Sequence, residues 1–202
     1  MEIKYPNGKS YIGKQNIVKQ NNLAKKNDSY SNRGMRLEEL INESNDFYLT
    51  QDICVVHKKP TPITVVSVDY SRRSSTRINE AYYQTPSTLD YCGIYKSRYL
   101  DFDAKETKNK TSFPLSNFHQ HQIEHMERVK KHGGICFAIF YFKTLNKVFH
   151  LDAEVIIEYW KNQSKGGRKS IPFKIFEDKG NEIKVGYRPS IDYIKIIDKL
   201  YF

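Results

Sequence analysis

Cysteine is scarce in this sequence: Cys54, Cys92 and Cys136 are the only three, and no two form a CxxC pair. An odd count without paired spacing excludes a disulfide framework and argues against a thiolate zinc site. Cys54 and Cys136 sit in apolar runs, Ile53-Cys54-Val55-Val56 and Ile135-Cys136-Phe137, and read as buried free thiols of a reducing cytosol. Long hydrophobic runs are missing too. The longest, Ile135 to Phe142, is far short of the roughly 20 residues that cross a bilayer. The opening Met1-Glu2-Ile3-Lys4-Tyr5-Pro6 has no apolar core of a signal peptide. The expectation is a soluble, cytoplasmic chain with no membrane partner. Nucleotide motifs are incomplete. Gly8-Lys9-Ser10 lacks the glycine five residues earlier that a phosphate-binding loop needs, and Gly166-Gly167-Arg168-Lys169-Ser170 has one residue too many, so no nucleotide cofactor is expected. Acidic residues are outnumbered, 23 Asp and Glu against 33 Lys and Arg, for a net charge of +10. That balance favours a polyanionic partner and by itself names no chemistry.

What is present is enough for one compact domain: 202 residues, 39% hydrophobic and 13% aromatic. Residues 1–31 hold six lysines against Glu2 and Asp28 with little apolar periodicity, and read as a flexible basic arm. Residues 32–202 form the domain. Leu37 to Tyr48 has helical spacing, and Ile53 to Val56 reads as a short buried strand. Pro60 and Pro62 then stiffen an extended segment. Strand-like patterns at Ile63 to Val68 and Ile78 to Tyr83 make residues 58–85 an exposed hairpin or stalk. Its basic side chains are Lys58, Lys59, Arg72, Arg73 and Arg77, against Asp69 and Glu80, and they are the candidate contacts to a polyanion.

Residues 87–107 read as two strands with a turn near Gly93-Ile94-Tyr95-Lys96. A helix from about Ser116 to Lys131 ends at Gly133-Gly134. Ile135 to Phe142 reads as a central strand buried on both faces, and Lys147 to Leu151 as another. Val155 to Trp160 reads as helix, Lys165 to Lys169 as a basic turn, and Asp192 to Tyr201 as a closing amphipathic helix. Strand, strand, helix, strand gives a mixed α/β fold with helices packed on a sheet.

The chemistry lies in Asp90 and in Asp103-Ala104-Lys105. Strand alternation puts Asp103 and Lys105 on one face. An antiparallel hairpin would bring Asp90 toward Asp103. Two converging carboxylates need a cation between them, and hard oxygen ligands suit Mg²⁺. Such an ion activates water and steadies charge on a phosphate, and Lys105 is placed to help. A surface ladder of salt bridges with Asp101, Lys108 and Lys110 is the plainer alternative. Gln122 falls on the apolar face of the helix, four residues from Phe118 and from Met126, and needs a partner there. His119, His121 and His125 share that helix without the Glu of an HExxH pair, and read as facing solvent or a polyanion.

With these residues in view, the sequence resembles the RecU family of Holliday junction resolvases over nearly all of residues 30–202. The resemblance is carried by Asn32-Arg33-Gly34-Met35, His57-Lys58-Lys59-Pro60-Thr61-Pro62, Glu80-Ala81-Tyr82-Tyr83, Lys105-Glu106-Thr107-Lys108-Asn109-Lys110-Thr111-Ser112-Phe113-Pro114 and His121-Gln122-Ile123-Glu124-His125-Met126, in that order. It implies a restriction-endonuclease-like mixed sheet flanked by helices, a protruding basic β-stalk that enters the junction centre, and a homodimer. Matched residue by residue, Thr88, Asp90, Asp103 and Gln122 fall on the metal-binding positions and Lys105 on the catalytic lysine, with Asp90 and Asp103 sharing the catalytic role. The implied ion is Mg²⁺, with Mn²⁺ as a substitute. The implied reaction is paired symmetric nicking of four-way DNA junctions, with Lys58, Lys59, Arg72, Arg73 and Arg77 on DNA and a strand-exchange recombinase as a candidate partner. One position departs: Asp103 stands where the family usually has Glu, one methylene longer. A vestigial metal site would leave a non-catalytic junction-binding protein and recombinase regulator. A simple single-strand or RNA nuclease, or a restriction enzyme, fits the basic stalk less well.

Overall fold

The structure is a computed structural model that describes residues 36–70, 76–84 and 88–202. The arm expected over residues 1–31, and Arg72 and Arg73 of the hairpin, lie outside the described residues.

The fold is mixed α/β. A six-stranded sheet is built from β1 (Val55–Lys58), β4 (Tyr91–Tyr95), β5 (Arg98–Thr107), β7 (Ile135–Phe142), β8 (Lys147–Asp152) and β10 (Asn181–Ile183), in that spatial order. Only β5 and β7 run parallel; every other pairing is antiparallel. Between β5 and β7 the chain makes a short strand β6 (Ser112–Pro114), a single 3-10 turn (Leu115–Asn117) and helix α2 (Gln120–Lys131), the length of crossover that a parallel pair requires. β7, Ile-Cys-Phe-Ala-Ile-Phe-Tyr-Phe, is buried at every position, because helices cover both faces of the sheet.

One face carries α1 (Leu37–Thr50) and α5 (Tyr193–Tyr201). Their apolar stripes, with Leu37, Leu40, Ile41 and Tyr48 on α1 and Ile194 and Ile197 on α5, meet Tyr91, Phe102, Phe137 and Ile139. The other face carries α2, α3 (Ala153–Gln163) and α4 (Phe173–Asp178), which close over Cys136, Ala138, Phe140 and Leu151. A further short strand, β9 (Ser170–Pro172), pairs with β6. The apolar periodicities therefore become two cores on opposite sides of one sheet.

Two sequence expectations shift. The turn between β4 and β5 is at Lys96 and Ser97, both with positive φ, and not at Gly93 to Lys96. Gly93 sits inside β4 because a Cβ there would lie 2.1 Å from the carbonyl oxygen of Val55 on the neighbouring strand. The helix expected from Ser116 begins at Gln120. Its first turn is closed by Gln122, whose Oε1 accepts the backbone N–H of His119 at 3.1 Å, so the chain stays extended through Phe118 and His119.

β2 (Ile63–Asp69) and β3 (Arg77–Tyr83) pair antiparallel, Ile63 opposite Tyr83 and Asp69 opposite Arg77, as a two-stranded sheet of their own. β3 is exposed at every position, and β2 at all but its last two. Cys54 and Cys136 are buried and Cys92 is half-buried, all as free thiols, and burial pushes the Cys54 thiol up to about 12. Among the described residues no helix is long and apolar enough to cross a membrane.

Candidate active site

The β4–β5 hairpin sets the site. Its register pairs Tyr91 with Phe102, and the next step outward places Asp90 opposite Asp103. Pleat alternation turns Leu100, Phe102 and Ala104 toward α1 and α5, and Asp101, Asp103 and Lys105 toward α2. Asp103 is fully buried. Its Oδ1 accepts the backbone N–H of Ala104 at 2.9 Å. Its Oδ2 accepts from Gln122 Nε2 at 2.8 Å and lies 2.8 Å from Lys105 Nζ. Gln122 thus satisfies both ends of its amide, the oxygen at the start of α2 and the nitrogen on Asp103, which is the partner its inward position demanded. The Lys105 ammonium also lies 5.2 Å from the Phe118 ring centroid.

Burial and the neighbouring Asp90 carboxylate, which accepts from the protonated form, hold the Asp103 carboxyl well up, at about 8, against the pull of Lys105. A cation beside the two carboxylates would take the place of the proton on Asp103. Two carboxylates fit a hard divalent ion that keeps most of its waters, whereas Gln122 turns its amide nitrogen, not its oxygen, toward Asp103. Among the described residues no group of three or more His, Cys, Asp and Glu gathers closely enough to hold a metal ion. Thr88 stands two residues before Asp90, half-buried, its hydroxyl donating to the Leu89 carbonyl at 3.4 Å. Asp90, Asp103, Lys105 and Gln122 are therefore brought together, while the Thr88 hydroxyl bonds within its own segment.

The expected DNA contacts are spread more widely. Lys58 is exposed and pairs with Glu38 at 2.6 Å, and Arg77 is exposed at the start of β3. Lys59 is different. Its ammonium lies 3.1 Å from both oxygens of Asp101, a carboxylate with no exposed surface. Asp101 also accepts from Tyr99 Oη at 2.7 Å and His125 Nε2 at 2.8 Å. The surface salt-bridge ladder is thereby excluded for Asp101, and His125 faces the sheet and not solvent. The i, i+2 spacing of Asp101 and Asp103 was the available signal. His119 is exposed and His121 half-buried, their rings parallel with centroids 5.4 Å apart.

A helix-flanked mixed sheet with a carboxylate pair and a lysine at the end of its central hairpin defines a restriction-endonuclease-like nuclease domain. A family model, Recombination protein U (RecU), matches residues 32–199, and the chain belongs to that family. It is 52% identical over 202 residues to the Holliday junction resolvase RecU of Geobacillus sp. (strain WCH70), covering 100% of this chain and 99% of that one. It is 53% identical over 203 residues to that of Geobacillus thermodenitrificans (strain NG80-2), with the same coverage. To that of Bacillus cereus (strain B4264) it is 52% identical over 202 residues, with both chains fully covered.

Proposed function

We propose that this chain is a Mg²⁺-dependent endonuclease that resolves four-way DNA junctions by paired symmetric nicks in recombination and repair. In this reading it acts in the cytoplasm as a homodimer with one site per subunit. The observation that carries the reading is Asp90 opposite Asp103 with Lys105 beside it, on a chain about half identical to resolvases over its full length. Asp90 and Asp103 would hold the ion, with Thr88 a further candidate ligand and Gln122 one only on turning its amide oxygen toward the site. When bound, the ion supplies Lewis-acid polarisation of the scissile phosphate and a more acidic water.

The chain's own residues do the rest. Asp103 gives up its proton and, with Asp90, presents two negative charges. Gln122 holds Asp103 in one rotamer from α2. Lys105 is held within 2.8 Å of Asp103, so its ammonium is fixed where negative charge builds on the phosphate and needs no reorganisation in the transition state. Asp103 in place of Glu draws these donors close to the strand. The exposed β2–β3 pair and Lys58 and Arg77 provide a basic surface that phosphates would meet. The test is a strand-labelled synthetic four-way junction with and without Mg²⁺, beside linear duplex and single-stranded controls. Paired nicks, leaving 5′-phosphate and 3′-hydroxyl ends, in the junction with Mg²⁺ are expected. Junction binding with no cleavage in Mg²⁺ or Mn²⁺ would shift the reading to a non-catalytic recombinase regulator.

A further inference from the structure

Asp101 stands two residues from Asp103 on the same face of β5, and the cleavage described above does not use it. It has no exposed surface and accepts from three side chains: Lys59, Tyr99 and His125. Stability is a weak reason for such a cluster, because well-packed apolar residues hold a buried position as well as an ion pair does. Its connections give a better one. The backbone N–H of Lys59 donates to the carbonyl of Asp90 at 2.7 Å, one step beyond the last β1–β4 pair, Lys58 with Tyr91. Lys59 therefore grips Asp90 by its main chain while its ammonium is anchored on Asp101. On the other side, His125 follows Gln122 by three residues, one turn along α2, and Gln122 donates to Asp103 at 2.8 Å. Asp101 sits between the two arms of the site.

We propose that Lys59, Asp101 and His125 form a positioning network that fixes Asp90 and Gln122 about Asp103 for the divalent ion, and that Lys59 serves this purpose and not phosphate binding. The inference rests on the metal-dependent nuclease reading. Exposure separates the two neighbouring lysines: the Lys59 side chain is 21% exposed and that of Lys58 is 43% exposed. A phosphate would have to draw Lys59 away from two oxygens of a buried carboxylate, leaving that charge short of a partner, which is costly.

The full-length chain tests this as Lys59→Met, Lys59→Arg and Asp101→Asn. One readout is Mn²⁺ affinity by calorimetry in the absence of DNA. The other is junction affinity in EDTA as a function of salt. Lys59→Met and Asp101→Asn are expected to weaken Mn²⁺ binding roughly 10- to 100-fold, as losses around a metal's direct ligands do. Junction affinity in EDTA and its salt slope stay at wild-type values. Lys59→Arg, which still offers a cation to both oxygens of Asp101, restores most of the Mn²⁺ affinity. Native Mn²⁺ affinity in Lys59→Met, with junction binding weakened and the salt slope shallower by about 0.9, would make Lys59 a phosphate contact and overturn the proposal. Native values on both readouts overturn it equally. If Asp101→Asn does not fold, the two Lys59 variants decide. A wild-type chain that binds no Mn²⁺ and cuts without divalent ions defeats the metal dependence on which the network rests. A metal-dependent wild type with unaffected Lys59 variants defeats the network alone.

Discussion

Burial and the neighbouring Asp90 keep the proton on Asp103 to about pH 8, against an ordinary 3.8. Between those values the unfolded chain has released this proton and the folded chain retains it, so this group makes the metal-free protein less stable as pH rises. An ion that replaces the proton must release it. Half-saturating Mg²⁺ is therefore expected to fall about tenfold per pH unit from pH 6 toward 8, and to flatten above. The rise in melting temperature given by a fixed Mg²⁺ concentration grows over the same window. Calorimetry in buffers of different ionisation enthalpy measures the released proton, and a pH-independent affinity would contradict the assignment. Gln122 carries two duties at once. Gln122→Ala removes the cap on the His119 N–H and a hydrogen bond to a buried carboxylate. It is expected to cost about 1–3 kcal/mol in chemical denaturation and to weaken Mg²⁺ binding. A loss in only one of the two measurements would separate duties that the geometry joins.

At the scale of elements, the β2–β3 pair differs most from the six-stranded sheet in its exposure. Its strands are exposed, and Tyr70, Tyr82 and Tyr83 are 75%, 61% and 84% accessible to solvent. A four-way junction has an open centre crowded with phosphates, and a linear duplex does not. Replacing residues 62–79 with a tight turn is expected to abolish the preference for junction over duplex in competition binding at fixed salt. Mg²⁺ binding persists, because Asp90, Asp103, Lys105 and Gln122 lie outside the deletion. Retained preference would remove the ribbon from junction recognition. This hairpin was legible in the sequence, since paired β-branched runs behind two prolines leave few alternatives. So were β7, with its unbroken apolar run, and α1 and α5, with their stripes. The short strands β6, β9 and β10 and helix α4 were not, because three to six residues carry no periodicity of their own and take their form from neighbours. The Asp90–Asp103 approach was legible as alternation plus an antiparallel hairpin. The Asp101 cluster was not, because Lys59, Tyr99 and His125 come from three separated segments that only the tertiary fold gathers.

For the whole molecule, the +10 net charge sets the terms of any encounter with DNA. The slope of log K against log salt gains about −0.9 for each phosphate contact. Deleting residues 1–31, with their six lysines, is expected to make that slope shallower while cleavage of bound junctions survives. A slope that the deletion leaves alone would show that this segment does not meet phosphate. Asp90 is the residue that the proposed ion site needs most directly. Its neighbours across the site are Asp103 and, beyond it, Lys105, so Asp90→Asn removes charge needed for the ion and no contact to DNA. The decisive measurement is single-turnover cleavage of a strand-labelled four-way junction in Mg²⁺ by wild type and Asp90→Asn, with junction affinity measured alongside in EDTA. Paired nicks from the wild type, none from Asp90→Asn, and equal or tighter junction binding by the variant are the predicted result. Cleavage by Asp90→Asn at the wild-type rate would contradict it.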